Sequence, residues 1–302
     1  MFRVPLSFFF EFGKVNDAMR PYIMGEFAAN GAEHLVLTHD LISMIMADYT
    51  MAAKLAKEMS SANLTFMDAH APFGQYLDLN NPEPDVRRQI LLRHKLHIQI
   101  AADMGVDTMT IHSGNDYYYP EVPLEVQIGN TIAALDELLP VAEKRGVTLC
   151  IENIWCRSNT PEKLLEIKAA FPTDALGFCF DAGHANQVDK GRNFEKNSVA
   201  DCYVLVGETP AYDDRVQEKM LPHIVNCHFS DNDGQYDKHW NVMDGNTDWM
   251  KVMRLLRKAP RLKCIESEVV PVRNKLSVHD ICGAFRKLGE TIDKRIQMED
   301  PL

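Results

Sequence analysis

The segment Ile224-Val225-Asn226-Cys227-His228-Phe229-Ser230-Asp231-Asn232-Asp233-Gly234-Gln235-Tyr236-Asp237-Lys238-His239-Trp240 opens with a short apolar run and turns abruptly polar. The run reads as a buried strand, because its apolar residues are continuous rather than spaced for one helix face. Two histidines and three aspartates follow within it or just beyond: His228, Asp231, Asp233, Asp237 and His239. Imidazole and carboxylate together are donors that divalent Zn, Mn, Fe or Co favour.

The same pattern recurs on either side. Apolar runs at residues 4–10, 35–38, 64–70, 108–112, 147–153, 176–181 and 262–266 read as further strands. Helix-like stretches separate them: 17–30 closed by Gly31, an Ala/Met/Lys-rich 43–60, 85–104, and one opened by Pro123 that runs to Arg145 before Gly146. Thr160-Pro161 has the form of an N-cap followed by proline at the first helical position. Residues 185–220 are less regular, and helices over 247–258 and 277–297 complete the series. Eight strand–helix units of about 30 to 40 residues predict parallel pairing and an α/β fold, a (β/α)8 barrel in a single domain over residues 1–302. A doubly wound open sheet is the alternative. Its usual phosphate turn is rich in glycine, whereas the loop after the first strand offers only Gly13.

In such a barrel the chemistry gathers at the C-terminal ends of the strands. Those ends supply His70, His112, Glu152, Asp181, His228 and Glu266, with His184 three residues beyond Asp181. Side chains alternate between the two faces of a strand. Cys150, Cys179 and Cys264 each stand two residues before a carboxylate, and Thr110 two before His112, so these small residues are expected to fill the barrel below the strand ends. Asp68, two before His70, is read as a group that orients a ligand. Converging carboxylates repel unless a cation or protons neutralise them, which makes a metal the economical explanation. His94 and His97, at i and i+3 on a helix, are read as lying on a solvated face; His34, His39, His223 and His279 carry no comparable signal.

Composition sets outer bounds. The 302 residues are 46% hydrophobic and 25% charged, with a net charge of −11, which disfavours a non-specific binder of nucleic-acid phosphates. Seven scattered cysteines, none spaced Cys-x-x-Cys, speak against a disulfide framework and for a reducing compartment. The apolar N-terminus is cut short by Glu11 and Lys14, so it reads as a strand rather than a signal peptide. No run approaches the roughly 18 apolar residues of a membrane span. A cytoplasmic, soluble protein is expected.

Taken together, His70-Ala71-Pro72-Phe73, Ile111-His112-Ser113-Gly114, Cys150-Ile151-Glu152-Asn153, Asp181-Ala182-Gly183-His184, Asp237-Lys238-His239 and Cys264-Ile265-Glu266-Ser267 resemble the xylose-isomerase-like barrel superfamily. That superfamily holds sugar phosphate isomerases and epimerases, ketose epimerases and endonuclease IV, and the resemblance runs over essentially the whole chain. It implies a divalent metal (Zn, Mn, Co, Fe or Mg) on Glu152, Asp181, His228 and Glu266, with Glu268 as the alternative last ligand. The endonuclease-like branch holds up to three zinc ions, and His70, His112, His184, Asp237 and His239 match its further ligands. In sugar-directed relatives the same residues could meet substrate hydroxyls. One departure concerns the loop after His239: relatives often carry Gly-Glu-Gly before an Asp-Trp pair, but this chain reads Met243-Asp244-Gly245-Asn246-Thr247-Asp248-Trp249.

The resulting expectation is a metal-dependent isomerase or epimerase of a small sugar or sugar phosphate. Glu152 and Glu266 would remove and return a proton through an enediolate. Phe73, Trp155 and Trp240, with Tyr117, Tyr118 and Tyr119, would wall the pocket, and Arg157 is either a phosphate contact or a surface arginine. The alternatives are a zinc phosphodiesterase acting on abasic DNA, opposed by the acidic charge, and a non-catalytic metal- or sugar-binding barrel. The family's habit of association extends the expectation to a homo-oligomer.

Overall fold

The apolar runs become strands, and their order along the chain is their order in space. In the computed structural model, which describes residues 4–299, eight parallel strands close into a barrel. They are β1 (Leu6–Phe8), β2 (His34–Leu37), β3 (Thr65–His70), β4 (Thr108–Ile111), β5 (Thr148–Glu152), β6 (Leu176–Asp181), β7 (Ile224–Phe229) and β8 (Cys264–Ser267). The ring closes between β1 and β8, where Ser7 stands opposite Glu266. Outward residues such as Phe8, Leu35, Ile151, Phe178 and Phe229 pack under the surrounding helices in one continuous core. Inward residues are small or polar, as the alternation predicted.

One irregularity aims the functional side chains. Between β6 and β7 the register shifts: Phe178 faces Ile224, but Cys179 faces Asn226. Val225 is the extra residue, and it joins Cys150 and Cys179 in a small apolar cluster inside the barrel. Asn226 and His228 thereby keep their inward direction. A Cβ on Gly177 would overlap Val225 Cγ2, so the bulge requires glycine opposite it.

The helices follow the expected order with two corrections. The stretch expected as one helix over 43–60 is two, His39–Ala47 and Thr50–Ser61. The break falls at Asp48, in extended backbone, whose Oδ1 accepts hydrogen bonds from the amide and hydroxyl of Thr50 at 3.0 and 2.7 Å. An aspartate that satisfies nearby donors in this way competes with the helical ladder. The second correction concerns His94 and His97 on helix Pro84–Asp103, which are buried rather than solvated. His94 Nε2–H donates to the Leu77 carbonyl at 2.7 Å, and the facing Nδ1 atoms of the pair lie 3.3 Å apart. No described helix is long and apolar enough to cross a membrane.

Candidate metal centre

Four strand ends on one side of the barrel bring Glu152, Asp181, His228 and Glu268 together, with one potential ligand atom from each lying within 4.8 Å of the others. Glu152 is the last residue of β5 and Asp181 the last of β6. Asp181 also caps helix Ala182–Lys190 by accepting from the His184 amide, which fixes its carboxylate at the helix start. His228 stands in β7, and Glu268 follows β8. From His228 Nδ1 the distances are 3.2 Å to Glu152 Oε1, 3.5 Å to Glu268 Oε2 and 4.0 Å to Asp181 Oδ2. Glu152 Oε2, Asp181 Oδ2 and Glu268 Oε2 are buried without a hydrogen-bond partner. Buried oxygens normally find one. Three carboxylates and an imidazole with such orphaned oxygens are the donor set a divalent cation takes, so the residues fit the group that the sequence implied.

Their electrostatics agree. Burial pushes the Glu152 carboxyl up, but His228, His112 and His184 more than offset it and hold the group well below the ordinary range. At Asp181 burial prevails over the opposing pull of His184 and raises the carboxyl to about 8. The histidines alone therefore carry too little positive charge to keep every carboxylate ionised. A cation would complete the balance that a proton on Asp181 otherwise supplies.

Glu266, expected as the last ligand, does not join this group; it clusters instead with Asp68 and His228, one potential ligand atom of each lying within 4.8 Å of the others. It lies in the same inward row as Glu268 but one layer deeper, fully buried, 3.5 Å from the opposite edge of the His228 ring at Nε2. The strand explains the difference. β8 runs over Cys264–Ser267 rather than 262–266, ending one residue later than the apolar run suggested, so the next inward side chain is Glu268. Below it, Asp68 accepts from Thr108 Oγ1 at 2.8 Å and Asn226 Nδ2 at 2.7 Å. Asn226 Nδ2 also reaches Thr110 Oγ1 at 2.9 Å, and Thr110 Oγ1 lies 3.2 Å from His228 Nε2. Asp68 is thus linked to His228 through Asn226 and Thr110.

Around the four residues stand the remaining histidines. His112 Nε2 is 3.3 Å and His70 Nε2 3.9 Å from Glu152 Oε2. On the other side His184 Nε2 is 3.9 Å and His239 Nε2 2.6 Å from Asp237 Oδ2. His70, His184 and His239 share one habit: Nδ1–H donates to a backbone carbonyl, of Ala71, Asn153 and Glu268 respectively, each at 2.9 Å. Their Nε2 atoms are thereby presented to the pocket, a tautomer that a metal or a hydroxyl can use. His239 sits at φ 49, a left-handed backbone uncommon for a side-chain-bearing residue. Asn274 Nδ2 holds its carbonyl at 2.6 Å.

The pocket wall is partly as expected. Phe73 is half exposed and stacks on His112, with centroids 4.5 Å apart, and Trp155 meets His184 edge-on at 4.8 Å. Trp240 is placed by backbone pairing with Asp231. Tyr119 Oη donates to the Gln75 carbonyl and accepts from Asn81, while Tyr117 packs beside Trp155 over Cys156 and Tyr203. Arg157 pairs with buried Asp116 at 2.7 Å and with Glu208. Sequence reading passed over His39, whose ring lies 5.3 Å from Phe73 and 6.2 Å from His70. The only hint was its position just past β2.

Asp231, counted among the metal donors of the opening segment, is a clasp rather than a ligand. Its two oxygens accept from the amides of Met243 and Thr247, the Thr247 hydroxyl and Trp249 Nε1, at 2.7 to 3.1 Å. The departing loop 243–249 is therefore tied to β7 by one side chain. Gly245 packs against it so closely that a Cβ would overlap the Asn232 carbonyl.

Residues 26–275 match the family model of the xylose isomerase-like TIM barrel. The chain belongs to that family. Among proteins similar to this xylose isomerase-like barrel, the uncharacterized protein MJ1311 of Methanocaldococcus jannaschii is 24% identical over 241 residues, 76% of this chain and 74% of its own. A D-psicose 3-epimerase from Clostridium cellulolyticum H10, solved with D-tagatose, superposes with a TM-score of 0.68 at 13% identity, over 96% of this chain and 99% of its own. The IOLI protein with a binding zinc atom superposes with a TM-score of 0.69 at 16% identity, over 99% and 100%. These likenesses are of fold.

Proposed function

We propose that this xylose isomerase-like barrel is a divalent-metal-dependent isomerase or epimerase of a small sugar or sugar phosphate. The observation that carries the reading is the convergence of Glu152, Asp181, His228 and Glu268, with three orphaned carboxylate oxygens among them. When bound there, the cation supplies positive charge against the negative charge that develops on a sugar oxygen as a neighbouring C–H bond breaks. Glu152 and Glu268 enter from β5 and from beyond β8. One takes the proton from carbon and the other returns it, giving epimerisation, or ketose–aldose exchange where the proton is relayed. Glu268 replaces Glu266 in this pair because it reaches the pocket, whereas Glu266 is sealed beneath His228. Burial raises Glu268, but His228 and His239 hold it low, so both glutamates are kept ionised as bases. His184, Asp237 and His239 contact hydroxyls, and Phe73 and Trp155 exclude water.

A second reading is favoured by one observation, the presentation of Nε2 by three histidines grouped around Glu152 and Asp237. This arrangement suits two or three zinc ions and hydrolysis of a phosphodiester; the net charge of −11 weighs against a nucleic-acid substrate. Elemental mass spectrometry of protein purified without chelator separates the two. About one metal per chain is expected, followed by solvent-deuterium incorporation into a ketose or its phosphate. Two or three zincs with cleavage of abasic DNA would replace the first reading by the second. Glu152→Gln should fold and lose activity by about 10²–10⁴-fold, and retained turnover would exclude the proton-transfer role.

A further inference from the structure

Glu266 is an acid that the four-residue group does not use, and burial pushes its carboxyl well up. It is fully buried, neither of its oxygens has a hydrogen-bond partner, and it lies outside the four-residue group. A buried carboxylate left unpaired is costly, so its retention calls for a role. Around it are Ser7 on β1, directly across the barrel closure, and His228 on β7, its partner on the other side. Ser7 Oγ is likewise buried and unpartnered. His228 Nε2 lies 3.5 Å away, and an oxygen of buried Asp68 lies within 4.8 Å of one of Glu266.

The two edges of the His228 ring make different demands. Nδ1 faces Glu152, Asp181 and Glu268. Without a cation, Nδ1–H can donate to Glu152 at 3.2 Å and Nε2 can accept from Thr110 Oγ1 at 3.2 Å. Asn226 already donates to that hydroxyl oxygen, which leaves the hydroxyl hydrogen free to point at Nε2. Ligation through Nδ1 reverses the arrangement. Nδ1 must be bare, so Nε2 carries the hydrogen and needs an acceptor. Thr110 Oγ1 has one lone pair already used, whereas Glu266 has all its acceptor capacity open.

We propose that Glu266 is the positioning residue of the centre: it accepts the His228 Nε2 hydrogen and so holds the ring in the tautomer that ligates through Nδ1. This rests on the reading of the four residues as a divalent-metal site. Carboxylate behind a ligating imidazole raises its basicity and fixes its orientation, and loss of such a partner typically weakens metal affinity by about 10–100-fold. Glu266 binds no substrate and touches no ligand oxygen in this role. It acts through His228.

The test uses the full chain, with Zn²⁺ affinity measured by competition against a chromophoric chelator, Co²⁺ absorption as a report on the ligand set, and thermal unfolding of the metal-free protein. Glu266→Leu removes the acceptor and is expected to weaken Zn²⁺ by about 10–100-fold, with the Co²⁺ band pattern retained. Glu266→Gln keeps an acceptor oxygen without the charge and should fall between wild type and Leu. That ordering stands on Gln alone if Leu does not fold: Zn²⁺ affinity equal to wild type in the Gln variant overturns the proposal. A changed Co²⁺ spectrum in either variant would make Glu266 a direct ligand. A lowered melting temperature with unchanged affinity would make it a packing residue. If wild type binds Zn²⁺ and both variants bind it equally, this inference alone falls; if wild type takes up neither ion, the metal-site reading falls with it.

Discussion

His228 has two faces, and nearly everything functional in this barrel is arranged by which face a group meets. Glu152, Asp181 and Glu268 meet Nδ1; Thr110 and Glu266 meet Nε2. The sequence made the first three of these strands legible, because β5, β6 and β7 end where their apolar runs end, and alternation does the rest. It could not separate Glu266 from Glu268. Both have inward parity, and only the height of β8 in the ring decides which one reaches the pocket. That height is set by pairing with β1 and β7, which no local pattern records. At this scale Glu268→Gln is the decisive substitution. It should lower divalent-metal affinity and reduce proton exchange by about 10²–10⁴-fold, and a variant with wild-type exchange in a deuterium-incorporation assay would return the catalytic role to Glu266.

Helix Pro84–Asp103 shows where reading by element falls short. Its boundaries, expected at 85–104, fall at Pro84–Asp103. Its buried face was misjudged at His94 and His97, since polar residue type stood in for exposure. The burial comes from the long loop after β3, which folds down so that Leu77 offers its carbonyl to His94. Burial pushes His94 down to about 4 and His97 to about 3, from an ordinary 6.5. Both stay neutral in the fold while the unfolded chain takes up protons below about 6.5. Stability is therefore expected to be intact above that pH and to fall as pH drops from about 6.5 toward 4. His97→Leu should flatten that part of the profile. Urea midpoints measured from pH 7.5 to 4.5 check it, and a slope equal to wild type would mean that other groups control acid unfolding.

The molecule as a whole is a cage that gathers carboxylates where they repel, and its stability should be linked to whatever neutralises them. Saturating Zn²⁺ or Mn²⁺ at about 100 times its dissociation constant adds about 2.7 kcal/mol. For a chain of this size that corresponds to about 5 °C in melting temperature, so chelator-treated protein should melt lower by that order, and addition of the ion should restore it. Equal melting curves with and without chelator would count against a bound cation in the native state. The barrel itself was legible because eight runs, each with its own helix, admit few other parallel arrangements. The closure of β1 on β8 has one more consequence. Ser7 is synthesised long before Glu266, and their strands meet at a seam beside His228. Glu152, Asp181 and His228 can all be synthesised before that seam exists. Glu268, the fourth of the converging side chains, follows β8, so the group is incomplete until that strand has closed the ring on β1.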